Sequence, residues 1–323
     1  MPMSDGPREL SAHGPASQFP ASQFRGQSRW IDLDGPLHYL DFGGPADGPV
    51  IVCVHGLGGS AVNWSAIAPL LTDRYRVLAP DLAGHGLTQS AGRGTGVAAN
   101  RALLHRFIDS GPGSPVILMG NSMGGMISLF EASAAPDAVA GLILIDPALP
   151  LLPAQQDPLV TAMFILSATP GMGRVMLRRH RRVSAEALVA STMSLCCADS
   201  SRVPAEVVAQ HVELVRQRAA FTDSRRDLAA TTRSVVATLG FRGQAYRRGI
   251  RSIGCPVLLL HGERDRLVPV SAARAVARAN PSWSLVVLPG VGHVPQLEAP
   301  RGSASAINRW LSSVGWPSQP QVA

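Results

Sequence analysis

The sequence predicts an α/β fold built on a mostly parallel sheet, and two observations lead to this prediction. Short, continuously apolar runs alternate with segments of helical periodicity, and the connections between them are short. Strands that are apolar along their whole length are typical of parallel sheets covered by helices on both faces. The alternation extends over residues 28–146 and returns over residues 255–313, so these two ranges are predicted to form one core.

The elements of the first range follow one another in a regular order. A hairpin is expected over residues 30–33 and 37–42, because Asp34-Gly35 between them is a turn signal. Apolar runs predict buried strands at residues 49–54, 75–79, 115–119 and 139–145. Helical patterns fall between these strands, at residues 62–71, 97–108 and 123–132.

The alternation stops at about Pro147 and resumes at about Cys255. Residues 147–254 carry only helical patterns, at residues 159–167, 173–180, 184–195, 204–218 and 224–239. A helical insertion at this point is predicted to cover the C-terminal edge of the sheet as a lid. The second core range then supplies strands at 256–260 and 283–288 and helices at 270–279 and 298–311.

Both ends of the chain are predicted to be flexible tails, over residues 1–27 and 314–323. The first tail is rich in Ser, Pro, Gly and Gln and lacks the apolar core of a signal peptide. The longest apolar stretch, residues 138–154, is interrupted by Asp146 and three prolines. We therefore expect a cytoplasmic protein without stable membrane insertion.

The composition excludes several classes of protein. Hydrophobic residues make up 46% of the chain, which excludes a disordered protein. The net charge of +7 comes entirely from arginines that are spread along the chain, so no nucleic-acid partner is expected, and without lysine no Schiff base can form. The four cysteines form no Cys-x-x-Cys pattern, and no His-Glu-x-x-His pattern occurs, so neither a metal nor a cofactor is predicted.

The segment Gly120-Asn121-Ser122-Met123-Gly124 lies between a predicted buried strand and a predicted helix. A serine at such a turn has an exposed hydroxyl, and the flanking glycines allow strand and helix to approach closely. Taken alone, the motif is also compatible with a glycine-rich turn that contains an incidental serine. Its placement resembles the nucleophile elbow of the α/β-hydrolase family, and the resemblance implies that Ser122 is the nucleophile.

The resemblance further implies an acid and then a histidine on later loops at strand ends. Asp265 and His293 have this order and placement, so His293 is the predicted general base and Asp265 the acid that orients it. Glu263 and Asp146 are the rival acids. In open α/β sheets, the carboxyl ends of the strands hold the ligand, so these loops are expected to converge.

Two backbone amides are candidates for an oxyanion hole. Met123 directly follows the nucleophile, and Leu57 occupies the third position of His55-Gly56-Leu57, which resembles the His-Gly-x pattern of the family. The resemblance implies that both amides stabilise the developing oxyanion. The Asp81-to-Gly86 loop also resembles the family, with a structural role.

The resemblance implies hydrolysis through an acyl-enzyme. Ser122 disfavours relatives that use aspartate at the elbow, such as epoxide hydrolases and haloalkane dehalogenases. We expect a carboxylic ester of a small-to-medium apolar substrate. A carbon–carbon bond hydrolase is the first alternative, because Gly-Asn-Ser-Met-Gly-Gly is similar to the hydrolases of aromatic degradation. A non-catalytic ligand-binding module is the second. The arginines at 174–182 favour a solvated helix face over a lipid contact, and the sequence does not predict the oligomeric state.

Overall fold

The structure, a computed structural model, describes residues 24–150 and 183–316. Its strands are β1 Gln27–Asp32, β2 Pro36–Asp41, β3 Val50–Val54, β4 Arg76–Pro80, β5 Val116–Asn121, β6 Val139–Ile145, β7 Val257–Gly262 and β8 Ser284–Leu288. They form one eight-stranded sheet in the order β1-β2-β4-β3-β5-β6-β7-β8. The hairpin β1–β2 pairs antiparallel with β4, and every pair from β4 to β8 is parallel. The predicted mostly parallel sheet is confirmed.

The α-helices of the described ranges flank this sheet or lie in the insertion. They are α1 Val97–Ser110, α2 Met123–Ala134, α3 Ala185–Cys196, α4 Ala205–Arg218, α5 Ser224–Leu239, α6 Gly243–Arg251, α7 Val270–Ala279, α8 Pro295–Glu298 and α9 Pro300–Ser313. The helix predicted over residues 62–71 is wrong, since two short 3₁₀ helices, Ala61–Trp64 and Ala68–Leu70, occupy that segment. Pro69 has no amide to donate, so a regular helix cannot run through it.

Three of the predicted insertion helices correspond to α3, α4 and α5. Sequence analysis missed α6, because its arginines and glycines leave only Tyr246 and Ile250 as the buried apolar pair on one face. The helices predicted at residues 159–167 and 173–180, and the arginines at 174–182, lie outside the described residues. The predicted closing helix is divided into α8 and α9, with Pro300 as the first residue of α9.

Alternate side chains of the central strands enter two separate cores. Val52 and Val54 of β3 join the core formed with α1, α2 and α6, whereas Ile51 and Cys53 join the core beneath the 3₁₀ segments and α9. Each of these four side chains is fully buried. Burial on both faces explains why β3 is apolar at every position.

The core extends slightly beyond its predicted boundaries. Phe24 is buried and β1 begins at Gln27, while Trp316 packs against the core beneath α9. The remainder of the predicted tails, residues 1–23 and 317–323, lies outside the described residues. Among the helices of residues 24–150 and 183–316, none has the length and apolar character needed to cross a membrane.

Candidate active site

Ser122 occupies a strained turn between β5 and α2. Its backbone has φ 55° and ψ −119°, a conformation that non-glycine residues rarely adopt. The strand and helix touch here, since a Cβ atom at Gly120 would lie 2.6 Å from the carbonyl carbon of Gly124, and one at Gly124 would lie 1.9 Å from the Val54 oxygen. The two glycines therefore permit the close approach that the motif predicts.

Hydrogen bonds fix the elbow to neighbouring strand ends. The amide of Ser122 donates to the Ile145 carbonyl (3.1 Å), and the Ser122 carbonyl accepts from the amide of Ala148 (2.9 Å). The side-chain amide of Asn121 donates to the carbonyls of Ile145 (3.0 Å) and His293 (3.1 Å). Asn121 thus connects strand β5 to the loop of His293. Sequence analysis gave it no such role, because this partner lies 172 residues away.

His293 and Asp265 form a buried hydrogen-bonded pair. The Nδ1 atom of His293 donates to Oδ2 of Asp265 (2.7 Å), while Oδ1 of Asp265 accepts from the amides of Leu267 (2.8 Å) and Val268 (3.0 Å). Burial by itself raises the pKa of Asp265, but the hydrogen bond from His293 holds it below its usual value. Because this ionised carboxylate only accepts, a neutral His293 carries its proton on Nδ1 and leaves Nε2 free to accept one.

Asp146 lies beside this pair. Its Oδ1 atom accepts from the amide of Gly262 (3.0 Å), and Oδ2 has no partner within the described ranges. Burial first, and then the charge of Asp265, raise the pKa of Asp146 well above its usual value. These two effects favour the protonated form of Asp146. Of the rival acids, Glu263 is exposed and accepts from the amide of Gly290 (3.1 Å), away from His293.

Candidate ligand atoms of Asp146, Asp265 and His293 lie within 4.8 Å of one another. Such a cluster has the residue types of a metal site, a convergence that sequence spacing did not predict. Nδ1 of His293 and Oδ2 of Asp265 are already hydrogen-bonded to each other, and Oδ1 of Asp146 accepts from the Gly262 amide. Because metal ligands must be deprotonated and burial favours the protonated form of Asp146, hydrogen bonding accounts for this cluster better than a metal does.

Three other histidines at strand ends are buried and neutral. Burial lowers the pKa of His55, His85 and His261, in the case of His85 to about 3. His261 donates from Nε2 to the Val268 carbonyl (2.8 Å), and Nε2 of His55 accepts from the Leu82 amide (3.1 Å). These contacts fix loop backbone and do not involve Ser122.

The predicted oxyanion donors flank the elbow. Met123 is the first residue of α2, so its amide has no partner within the helix. Leu57 lies in a turn closed by a hydrogen bond from the Gly59 amide to the Gly56 carbonyl (3.0 Å). A Cβ atom at Gly56 would lie 3.1 Å from Cβ of Ser122, so this turn packs against Ser122. The proposed donation by both amides stays a prediction.

The helical insertion contacts the histidine loop directly. The amide of His293 donates to the carbonyl of Cys196, the last residue of α3 (2.7 Å). The buried carboxylate of Glu298, which sequence analysis missed, accepts from three amides: Gly292 (2.8 Å), Ala198 (3.1 Å) and Asp199 (2.9 Å). No local pattern identifies Glu298, because two of its three partners, Ala198 and Asp199, lie about 100 residues earlier in the chain.

Comparison with known proteins agrees with this architecture. The profile of the family described as the α/β hydrolase fold matches residues 49–300, and the chain belongs to this family. Together with the esterases among its relatives, this match makes the chain a hydrolase.

Individual relatives have different activities. The chain is 30% identical over 268 residues to the pimeloyl-[acyl-carrier protein] methyl ester esterase of Methylococcus capsulatus, covering 82% of this chain and 96% of that protein. It is 28% identical over 285 residues to haloalkane dehalogenase 2 of Mycobacterium tuberculosis, covering 87% of this chain and 93% of that protein. A thermophilic esterase from Thermogutta terrifontis superposes with a TM-score of 0.65 at 26% identity, covering 90% and 99% of the two chains.

Proposed function

We propose that this chain hydrolyses a carboxylic ester of a small-to-medium apolar substrate through an acyl-enzyme on Ser122. One observation carries the proposal: the strained elbow presents Ser122 beside a histidine loop whose His293–Asp265 pair holds the imidazole in the general-base tautomer. Ser122, His293 and Asp265 are the proposed catalytic residues. A metal or cofactor is not part of this mechanism.

The reaction proceeds in two halves. Nε2 of His293 takes the Ser122 proton as Oγ attacks the ester carbonyl, and the imidazolium then protonates the departing alcohol. Water, deprotonated by the same nitrogen, cleaves the acyl-enzyme and releases the acid. Asp265 stabilises the imidazolium in both halves without itself being protonated.

The amides of Leu57 and Met123 are the proposed oxyanion hole. Each donor of this kind contributes about 3–4 kcal/mol to stabilisation of the transition state. The position of Met123 at the start of α2 adds the positive end of the helix dipole to this effect.

Ester hydrolysis fits this chain better than dehalogenation. The elbow carries a serine, and a serine ester of an acyl group is readily cleaved by water, whereas an alkyl ether formed by halide displacement is not. The named esterases among the relatives support the same choice. If Ser122 displaced a halide, the resulting alkyl ether would therefore stay on the enzyme, and the reaction could not turn over.

The proposed surroundings of the enzyme follow from its residues. We propose the cytoplasm as its compartment, supported by four free cysteines, of which Cys196 and Cys197 are adjacent. We propose a small apolar molecule, and no nucleic acid, as its partner. Fractionation of cells that produce the tagged chain tests the compartment, and a periplasmic or membrane location would contradict it.

The test is a series of p-nitrophenyl esters of increasing acyl length, assayed with the native chain, Ser122→Ala and the control Ser133→Ala, whose hydroxyl pairs with Ser252 away from the elbow. We expect saturable ester turnover that Ser122→Ala abolishes and Ser133→Ala retains. Catalytic turnover that survives in Ser122→Ala, beyond one equivalent of p-nitrophenolate per chain, would contradict the proposal. Fast turnover of a dienoate ring-fission product, with esters poor, would instead favour the carbon–carbon hydrolase.

A further inference from the structure

A second serine–histidine–aspartate relay lies at the β1 edge of the sheet, separate from the proposed active site. Oγ of Ser28 is 2.8 Å from Nε2 of His38, and Nδ1 of His38 is 2.6 Å from Oδ2 of Asp81. His38 and Asp81 are almost fully buried, whereas Ser28 is half-buried. The three residues come from β1, β2 and the loop after β4, so no sequence motif joins them.

The hydrogen bonds around Asp81 determine where the protons lie. Its Oδ1 accepts from the amide of Ala61 (2.6 Å), and its Oδ2 accepts from the amide of Leu87 (2.7 Å) as well as from His38. Burial alone raises the pKa of Asp81, but the hydrogen bonds from His38 and from the Ala61 amide hold it below its usual value. Asp81 is therefore an ionised acceptor.

The tautomer of His38 follows directly. Because ionised Asp81 cannot donate, Nδ1 of His38 carries the proton, and Nε2 of the neutral ring can only accept. The hydroxyl of Ser28 is then the donor of the 2.8 Å bond. His293 with Asp265 shows the same arrangement, in which the carboxylate holds the ring through Nδ1 and takes two backbone amides as well.

The surroundings make this relay rigid on one side and open on the other. The ring of Trp30 packs edge-on against His38, with centroids 5.1 Å apart at 60°. Trp30 and His38 are also register partners across the hairpin. Within the described strands β1 pairs only with β2, so its outer edge, with half-buried Ser28, is not covered by another strand.

We propose that Ser28 is a second activated serine, one that accepts an acyl group from an activated ester independently of Ser122. Oγ of Ser28 forms a bond to the acyl carbon, the bond from that carbon to the leaving oxygen breaks, and Nε2 of His38 takes the hydroxyl proton. The proton then passes to the leaving group or to water. The product is an O-acyl Ser28 and the free alcohol or phenol.

The test treats the full-length Ser122→Ala chain with p-nitrophenyl acetate and follows p-nitrophenolate release and the acetylated peptide by mass spectrometry. We expect one acetyl group per chain, on Ser28, and none in Ser122→Ala/Ser28→Ala. Removing the base in Ser122→Ala/His38→Gln slows the labelling about 100-fold. Ser133 and Ser252, which hydrogen-bond only with a hydroxyl or backbone partner, act as internal controls and stay unmodified.

If Ser28, His38 and Asp81 only fix the loop after β4, the experiment gives a different result. Ser122→Ala would then take no acetyl group on Ser28, or would be labelled equally on Ser133, and either result overturns the proposal. If His38→Gln does not fold, as judged by thermal unfolding, Ser28→Cys and Ser133→Cys replace it. Alkylation of Cys at position 28 by iodoacetamide at neutral pH should be at least tenfold faster than at position 133, and equal rates overturn the proposal.

Discussion

The backbone amide of His293 donates to the carbonyl oxygen of Cys196, 2.7 Å away. The proposed general base is thus anchored to the end of α3, in the helical insertion. The carboxylate of Glu298 strengthens this junction, because it binds amides on both sides of it. The insertion therefore helps to position the histidine in addition to any role in selecting the substrate.

Glu298→Gln tests this junction. Glutamine offers one acceptor oxygen in place of two ionised ones, so at least one buried amide loses its charged partner. We expect a loss of about 3 kcal/mol in the free energy of unfolding. A displaced His293 loop should also lower kcat roughly tenfold or more. Urea unfolding and p-nitrophenyl ester kinetics measure the two effects.

The matched control is Glu186→Gln, which removes the charge of an exposed glutamate paired with Arg216 on the same insertion. Exposed ion pairs contribute little to the free energy of unfolding, so the stability and kcat of this variant should stay at the native values. Equal losses in both variants would mean that the Glu298 junction has no special importance.

Asp265→Asn should lower kcat by about 10³- to 10⁴-fold. The asparagine side chain can donate to Nδ1 of His293, which would shift the ring proton to Nε2 and prevent that nitrogen from accepting the serine proton. Glu263→Gln is the control, because Glu263 is exposed and does not contact His293. Comparable losses in both variants would reopen the choice of acid.

Asp146→Asn should change how stability depends on pH. The pKa of folded Asp146 is raised by burial and by Asp265, while the unfolded side chain has its ordinary pKa of about 4. Folding at a pH between the two pKa values therefore takes up a proton, and this contribution to stability decreases as pH rises from about 4 towards the folded pKa. Asparagine keeps an acceptor for the Gly262 amide and needs no proton.

The measurement is the free energy of unfolding of the native chain and of Asp146→Asn at about pH 5 and about pH 8. As pH rises, the free energy of unfolding of the variant should increase relative to that of the native protein, by up to about 1.4 kcal/mol per pH unit. The exposed Asp47→Asn serves as control. Parallel pH profiles for native protein and Asp146→Asn would show that Asp146 is ionised in the fold.

Gly124→Ala should disrupt the elbow, because its Cβ would lie 1.9 Å from the Val54 carbonyl oxygen. We expect a destabilisation of about 3 kcal/mol or more, with loss of ester hydrolysis. Gly302→Ala is the opposite case, since Gly302 is an exposed residue of α9 with no atom within 4 Å of the added Cβ. It should stabilise the chain by about 0.5–1 kcal/mol. Thermal unfolding distinguishes the two, and an unaffected Gly124→Ala would contradict the observed packing.

The sequence predicted most of the sheet because its central strands are buried on both faces. A strand such as β3 can be predicted from its local sequence, because it is an uninterrupted apolar run bounded by polar turns. The sequence of helix α6 gives only a weak helical pattern, since it has two buried apolar side chains among arginines and glycines. The helix prediction for residues 62–71 was wrong for a local reason, because Pro69 interrupts the helical hydrogen bonding.

The candidate site divides in the same way. Ser122, Asp265 and His293 could be named from sequence because their order and their places after predicted strands resemble the α/β-hydrolase family, and the structure places Asp265 and His293 in one hydrogen bond. Asn121, Asp146 and Glu298 gained their roles only from contacts with residues far away in the chain. The spacing of residues in the sequence does not indicate such contacts.

By itself, the sequence determined the sheet and the elbow, since these depend on local periodicity and on glycines at a turn, and its resemblance to the α/β-hydrolase family supplied the order of the candidate catalytic residues. Tertiary structure decided which acid pairs with His293, which carboxyl group has its pKa raised by burial, and that Ser28 meets His38 and Asp81. These properties depend on burial and on partners brought together by folding. Proton positions follow from the completed set of hydrogen bonds.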